Sequence, residues 1–212
     1  MGLISRTLKV TAFGSVATIG LFFGSTRNDE FVPMAATDPI FQSPFYKKFN
    51  PNNNPTTHDL CVRRIPLDKI RPELLEKKGK LATSPQRAFL ERKYRAETPD
   101  QLWDRKDLLK NEYNVGTLIT DHFEVLEKTD DLITIRCGDT PRHRDVRPAD
   151  GLFQIGAVVK PEQGIAEFTL KSCFFQGEGK ADAVPMGPWM DWAHKQYTKL
   201  WLESGVLKNV VR

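Results

Sequence analysis

Two stretches of the chain gather side chains able to move a proton. Between Gly138 and Gly151 stand Asp139, Arg142, His143, Arg144, Asp145, Arg147 and Asp150. A histidine flanked by carboxylates suits proton transfer near neutral pH, so His143 and Asp139 are candidates for acid–base work. A solvated, charged hairpin loop has the same composition and is the competing reading. The second stretch runs from Trp189 to Leu207, where His194 and Tyr197 fall one helical turn apart with Trp201 beyond them. If that strip faces a sheet, His194 and Tyr197 become the polar points of an apolar space; otherwise they are a packed pair at a helix edge. His58–Asp59 and Asp121–His122 are adjacent in sequence, and neighbours in a strand point to opposite faces, so neither pair is a ready dyad. The four histidines show no metal-binding spacing, and there is no phosphate-binding glycine loop and no G-x-S-x-G nucleophile. The chain is therefore expected to work without a metal or cofactor.

These residues need elements to hold them. The clearest pattern begins after Val115. Gly116 to Lys128 reads as a strand, Asp130–Asp131 as a hairpin turn, and Leu132 to Cys137 as a strand with Ile133, Ile135 and Cys137 on one face. Leu152 to Lys160 and Ile165 to Gln176 follow, joined by a turn at Pro161–Gly164, with Phe168, Leu170 and Phe174 sharing a face. Four strands on short turns make an antiparallel meander. Pro188 to about Lys208 reads as an amphipathic helix with Trp189, Ala193, Gln196, Tyr197, Leu200, Ser204 and Leu207 on one side; Met190, His194, Tyr197 and Trp201 form the neighbouring strip. Upstream, His58 to Ile65 reads as a strand, and Pro72–Lys80, Pro85–Arg95 and Pro99–Lys110 as helices. The last has Thr98 as N-cap, with Leu102, Trp103 and Leu109 facing inward. From Phe31 to Thr57 five prolines and Asn52–Asn53–Asn54 point to an irregular linker whose aromatics lie along a surface.

The chain has 212 residues, a net charge of +4 and mixed charge signs, without the basic stripe of a nucleic-acid binder. Cys61, Cys137 and Cys173 are too few and too scattered for a disulfide framework or a zinc site. Val10 to Thr26 carries no charge, with Arg6 and Lys9 before it and Arg27 after. Three readings of this segment stay open: an uncleaved signal-anchor, a cleaved secretory signal and a mitochondrial presequence. The signal-anchor is preferred. Its Gly20-x-x-x-Gly24 offers a flat face to another helix. The expected organisation is an anchor over 1–27, a linker over 28–56 and one domain over 57–212.

A strand, then helices, then a meander, then one long C-terminal helix is the element order of the helix-grip fold. The stretches Asp121–Lys128, Leu132–Arg136, Leu152–Lys160, Ala166–Phe175 and Trp189–Leu207 resemble the START-like superfamily of polyketide cyclases and lipid-transfer proteins. Thr56–Leu60, Arg136–Asp139 and Tyr197–Trp201 are similar to small fungal proteins encoded beside secondary-metabolite pathways. The fold class expected is thus α+β, a β-meander closed by a C-terminal helix, with an N-terminal membrane helix. The resemblance implies an apolar cavity between sheet and helix, with Trp189, Trp201, Phe168 and Phe174 as ligand contacts and His194, Tyr197, His143 and Asp139 as catalytic candidates. It implies a cofactor-free tailoring protein that assists cyclisation or isomerisation of a hydrophobic intermediate. Its partners would be that small molecule, a membrane (endoplasmic reticulum, or else mitochondrial) and a membrane-bound oxygenase. A non-catalytic hydrophobe carrier and an accessory subunit of a membrane-bound complex are the alternatives. One departure is visible: Glu73 to Arg95 is short of apolar residues, so the helical wall before the meander is thin.

Overall fold

The computed structural model describes residues 20–76, 101–102 and 105–212. Asp150–Lys160 (β7), buried on both faces over its first eight residues, and Ile165–Phe175 (β8), where buried and partly exposed residues alternate as far as Ser172, pair antiparallel along their full length of eleven residues. The turn between them is closed by Gly164, whose φ of 65° suits a residue without a Cβ. Leu132–Cys137 (β6) pairs with β7, and Phe123–Lys128 (β5) pairs with β6 across the expected Asp130–Asp131 turn. The antiparallel meander read from the sequence is therefore present strand for strand. Thr57–Pro66 (β2) adds on beyond β8, and Asp29–Phe31 (β1) beyond β2.

The far edge departs from expectation. The strand expected over Gly116–Lys128 is broken at Thr120, which takes a φ of 51°, so that Leu118–Ile119 (β4) folds back on β5 as a hairpin. Gln101–Leu102 (β3), expected inside a helix, instead pairs parallel with β4; the helix there is only Arg105–Lys110. The result is one mixed eight-stranded sheet in the order β1-β2-β8-β7-β6-β5-β4-β3. Of the expected Pro72–Lys80 helix, Pro72–Leu75 is helical; the rest of it, the Pro85–Arg95 helix, Thr98 and Trp103 lie outside the described residues.

The proline-rich stretch is irregular only in part. It forms two short helices, Pro39–Gln42 (α1) and Pro44–Phe49 (α2), each starting at a proline. A first helical turn has no intrahelical use for the missing N–H, and Asp38 and Ser43 cap the two turns by accepting from the amides of Ile40 and Tyr46. Here Pro44 and Ser43 set the helix rather than break it. The following helices are Pro72–Leu75 (α3), Arg105–Lys110 (α4) and Pro188–Asn209 (α5). Ile40, Tyr46 and Phe49 pack on Leu152, Cys173 and Phe175 of one sheet face. The aromatics of this stretch thus cover the domain itself.

The other face carries the main core. Cys61, Ile65, Phe168, Leu170, Ile155, Ile133 and Ile135 cluster with Leu202 and Val206 of α5 and with Val210 just after it. The buried side of α5 is a line of Thr198, Leu202 and Val206, spaced by four, with Glu203 beside it. That differs from the expected stripe: Trp189, Tyr197, Leu200 and Leu207 stand exposed, Trp189 at 72 %. Along this line the helix turns small and medium residues to the sheet, which allow close approach, while Trp189 and Trp192 stay outside. Among the described residues no helix is long and apolar enough to cross a membrane; residues 20–25 are helical and the earlier part of the expected anchor lies outside the described residues.

Candidate functional site

Between α5 and the meander the packing stops short of filling the space. A cavity of about 250 Å³ opens there, walled by Ile135, Phe153 and Phe174 of the sheet and by His194, Tyr197 and Trp201 of the helix. Phe153 holds Trp201 edge-on at 5.3 Å between ring centroids, and Phe123 braces Phe153 at 5.6 Å. Phe174 meets the His194 ring edge-on at 4.9 Å. Among the described residues the lining holds no lysine, arginine, aspartate or glutamate. Its polar atoms come from His122, Ser172, His194, Tyr197 and Thr198.

His194 has a buried acidic partner. Alternation along β2 places Thr57, Asp59, Cys61, Arg63 and Ile65 on the face under α5, and β2 is registered so that Asp59 stands opposite Ser172. The Asp59 carboxylate is 3 % exposed and lies 3.0 Å from His194 Nε2. This is a charge contact rather than an aligned hydrogen bond, for neither carboxylate oxygen has a hydrogen-bond partner. Thr198, one turn along, brings its hydroxyl to 3.3 Å from the same nitrogen. The arrangement is a carboxylate behind an imidazole, with the imidazole at the wall of an apolar cavity. An imidazole so placed can serve proton transfer to or from a bound molecule.

The other candidates fall elsewhere. Asp139 and His143 line neither this cavity nor the cleft next to it. They sit 3.5 Å apart on the Gly138–Ala149 loop, half exposed, with Glu178 3.9 Å from the other ring nitrogen. Asp139 is held below the ordinary carboxylate range, first by the Thr140 amide and then by His143. The loop's stronger role is to seat two arginines. Arg136 donates from Nε and Nη2 to the Asp150 carboxylate at 3.0 and 2.6 Å and to the carbonyls of Arg144 and Asp145. Its guanidinium lies 3.6 Å over the Phe49 ring. Arg147 is fully buried, donating to the carbonyls of His143 and Asp139. Phe168 is buried in the core without reaching the cavity, and Trp189 stacks on Trp192 at 4.9 Å outside it. Of the residues expected to form the site, His194, Tyr197, Trp201 and Phe174 come together.

Asp59 was missed by the sequence reading, although the signal was present: a charged residue two positions from Cys61, on the apolar face of a strand. The three cysteines are free and buried. Burial pushes the thiols of Cys61 and Cys173 up to about 12 and that of Cys137, at the cavity wall, higher still. None is poised as a nucleophile.

A second acidic group lies under α5 near its C-terminal end. Arg63 reaches Glu203 at 2.7 Å and Asp29 at 3.7 Å, so that β1, β2 and α5 meet at one guanidinium and two carboxyls. Burial, then the neighbouring Glu203, raises the Asp29 carboxyl to about 7. Burial also raises Glu203. No protein-family model, curated protein or solved structure matches the chain.

Proposed function

We propose that the protein binds a compact hydrophobic molecule between sheet and C-terminal helix and moves a proton on it through His194, assisting a cyclisation or isomerisation. The observation that carries this reading is the buried Asp59 carboxylate 3.0 Å behind His194, which itself walls an apolar cavity. Asp59 positions the ring; Tyr197 and Ser172 offer hydroxyls to a carbonyl; Phe153, Phe174 and Trp201 exclude water and hold the reacting shape. The element order and the place of the cavity support a helix-grip-like architecture. The resemblance noted above supports a setting in fungal secondary metabolism, on a polyketide or polyketide–peptide intermediate, at a membrane beside a membrane-bound oxygenase.

Two measurements test it. Binding of a neutral aromatic ketone is read by quenching of Trp201, and turnover by the pathway intermediate that accumulates when the gene is deleted. His194→Ala abolishes conversion of that intermediate while the ketone still binds. Should the variant bind and convert as the parent does, His194 has no chemical role. Should deletion leave the metabolite profile unchanged, the tailoring function itself is wrong. A protein that binds the ketone and converts nothing, in parent and variant alike, is a carrier.

A further inference from the structure

The cavity at His194 is bounded on one side by Phe174 and Gly138. On the far side of that ring, and of Gly138, a second cleft of about 690 Å³ opens beneath the segment that joins β8 to α5. Both spaces are walled by the same two residues, so Phe174 and Gly138 are the partition between them. Gly138 takes a φ of 112° and a Cβ there would come within 2.4 Å of the Ala149 carbonyl oxygen. The sheet edge is thereby kept thin where the two spaces adjoin.

The roof of the cleft is pinned in place. Asn54 donates to the carbonyls of Gln176 and Gly179 and accepts from the Ala181 amide, while Asn52 also donates to Gly179. At the other end the Met186 amide donates to the Thr57 hydroxyl. Between these anchors Val184, Pro185 and Met186 line the cleft with Met190 of α5, and Val184 and Met190 remain more than half exposed. Exposed apolar side chains lining a preformed concavity are what a ligand covers, not what a core uses.

The lining also has a charge character. Its two ionisable side chains are Asp150, already taken by Arg136, and Asp182; no lysine or arginine lines either space among the described residues. An anionic tail, such as a fatty carboxylate or a phosphate-bearing carrier, would meet no cation there and would face a carboxylate. The first cavity alone is small for a drug-sized ligand, whereas the two together fall in the usual range for one, about 300–1,000 Å³.

We propose that the cleft under the 177–187 segment is a second compartment of the same site, which holds the extended, uncharged apolar part of an elongated substrate whose reacting end lies against His194. This rests on the reading of the first cavity as a ligand site and adds the shape and charge of the ligand.

The test uses the full chain and a fluorescent series of neutral naphthyl ketones, 6-acyl-2-dimethylaminonaphthalenes, from acetyl to longer acyl groups. The acetyl probe occupies the first cavity alone. Longer acyl chains gain affinity by about four-fold per methylene as they pass Phe174, in line with the usual transfer of a CH₂ from water. A chain ending in a carboxylate loses that gain. The double variant Val184→Asp/Met190→Glu, made at two exposed positions, binds the acetyl probe as the parent does and shows no chain-length gain. Affinity that stays flat from acetyl to long chains, or a gain that survives in the double variant, overturns the second compartment and leaves the first cavity standing. Failure of the acetyl probe to bind overturns both.

Discussion

Arg136 and Asp59 are both charged residues buried on strands of one sheet, on opposite faces, and they are treated differently. Under α1 and α2, Arg136 has a carboxylate held by two of its nitrogens, two backbone carbonyls and an aromatic face. Under α5, Asp59 has one imidazole at 3.0 Å and no hydrogen bond to either oxygen. The first face also has its helices packed down on Leu152, Cys173 and Phe175, whereas the second leaves a cavity beside its charge. A satisfied buried charge fixes a structure. One left short of partners beside an empty space is held ready for something that arrives later. The contrast separates the part of the molecule that maintains the fold from the part available for chemistry.

The largest effect expected falls on the satisfied face. Arg136→Ala leaves Asp150 buried without its partner and should cost about 3–5 kcal/mol in urea unfolding. Replacing both, as Arg136→Met with Asp150→Leu, should cost clearly less than the single change, since no orphan charge remains. If the single variant is as stable as the parent, the two faces do not differ in the way described.

On the other face the signs reverse. Asp59→Asn removes a charge that has no hydrogen bond to lose, so stability should change by no more than about 1 kcal/mol, while conversion of the intermediate drops by ~10²-fold or more. Binding of the naphthyl ketone should persist. A large loss of stability without a separate loss of turnover would place Asp59 with Arg136 as a structural residue.

How much of this could be read beforehand follows from the range of the interactions. The meander was legible because strand alternation and turn chemistry are local: Ile133, Ile135 and Cys137, or Phe168, Leu170 and Phe174, declare their face within six residues. The face of α5 was misread because its aromatics, Trp189 and Tyr197, were counted as core. The helix instead buries Thr198, Leu202 and Val206, and close packing against β2 and β8 selected them. The capped turns at Asp38–Pro39 and Ser43–Pro44 were readable, but proline was weighed as a breaker alone. The Asp59–His194 contact joins the first long strand to the last helix, and only the register of β2 on β8 brings those residues together.

A smaller effect separates two regions within the α5 face. At Asp29 the raised carboxyl makes stability depend on pH, and the sign is set by the direction of the shift. The folded value, about 7, lies above the ordinary aspartate value of 3.8, so the folded state holds the proton more tightly than the unfolded chain. The contribution is fully present below about pH 4 and is lost as pH rises through about 7. Glu203 opposes ionisation of Asp29 and Arg63 and Lys199 favour it. The net loss should be on the order of 2 kcal/mol in unfolding measured between pH 5 and pH 8. Asp29→Asn should flatten that slope, and a slope unchanged in the variant would assign it to other groups.

The smallest effect is expected at the histidine that the sequence made most conspicuous. His143 sits between Asp139 and Glu178 at 3.5 and 3.9 Å, with all three side chains well exposed. Exposed pairs of this length contribute little because water screens them and holding them ordered costs entropy. His143→Ala should therefore shift unfolding by no more than about 0.5 kcal/mol and leave conversion of the intermediate unchanged. The loop's hold on Arg136 and Arg147 runs through backbone carbonyls, including that of residue 143 itself, and these survive the substitution. A substantial loss of turnover in His143→Ala, with stability intact, would move the chemistry out of the cavity under α5 and onto the loop.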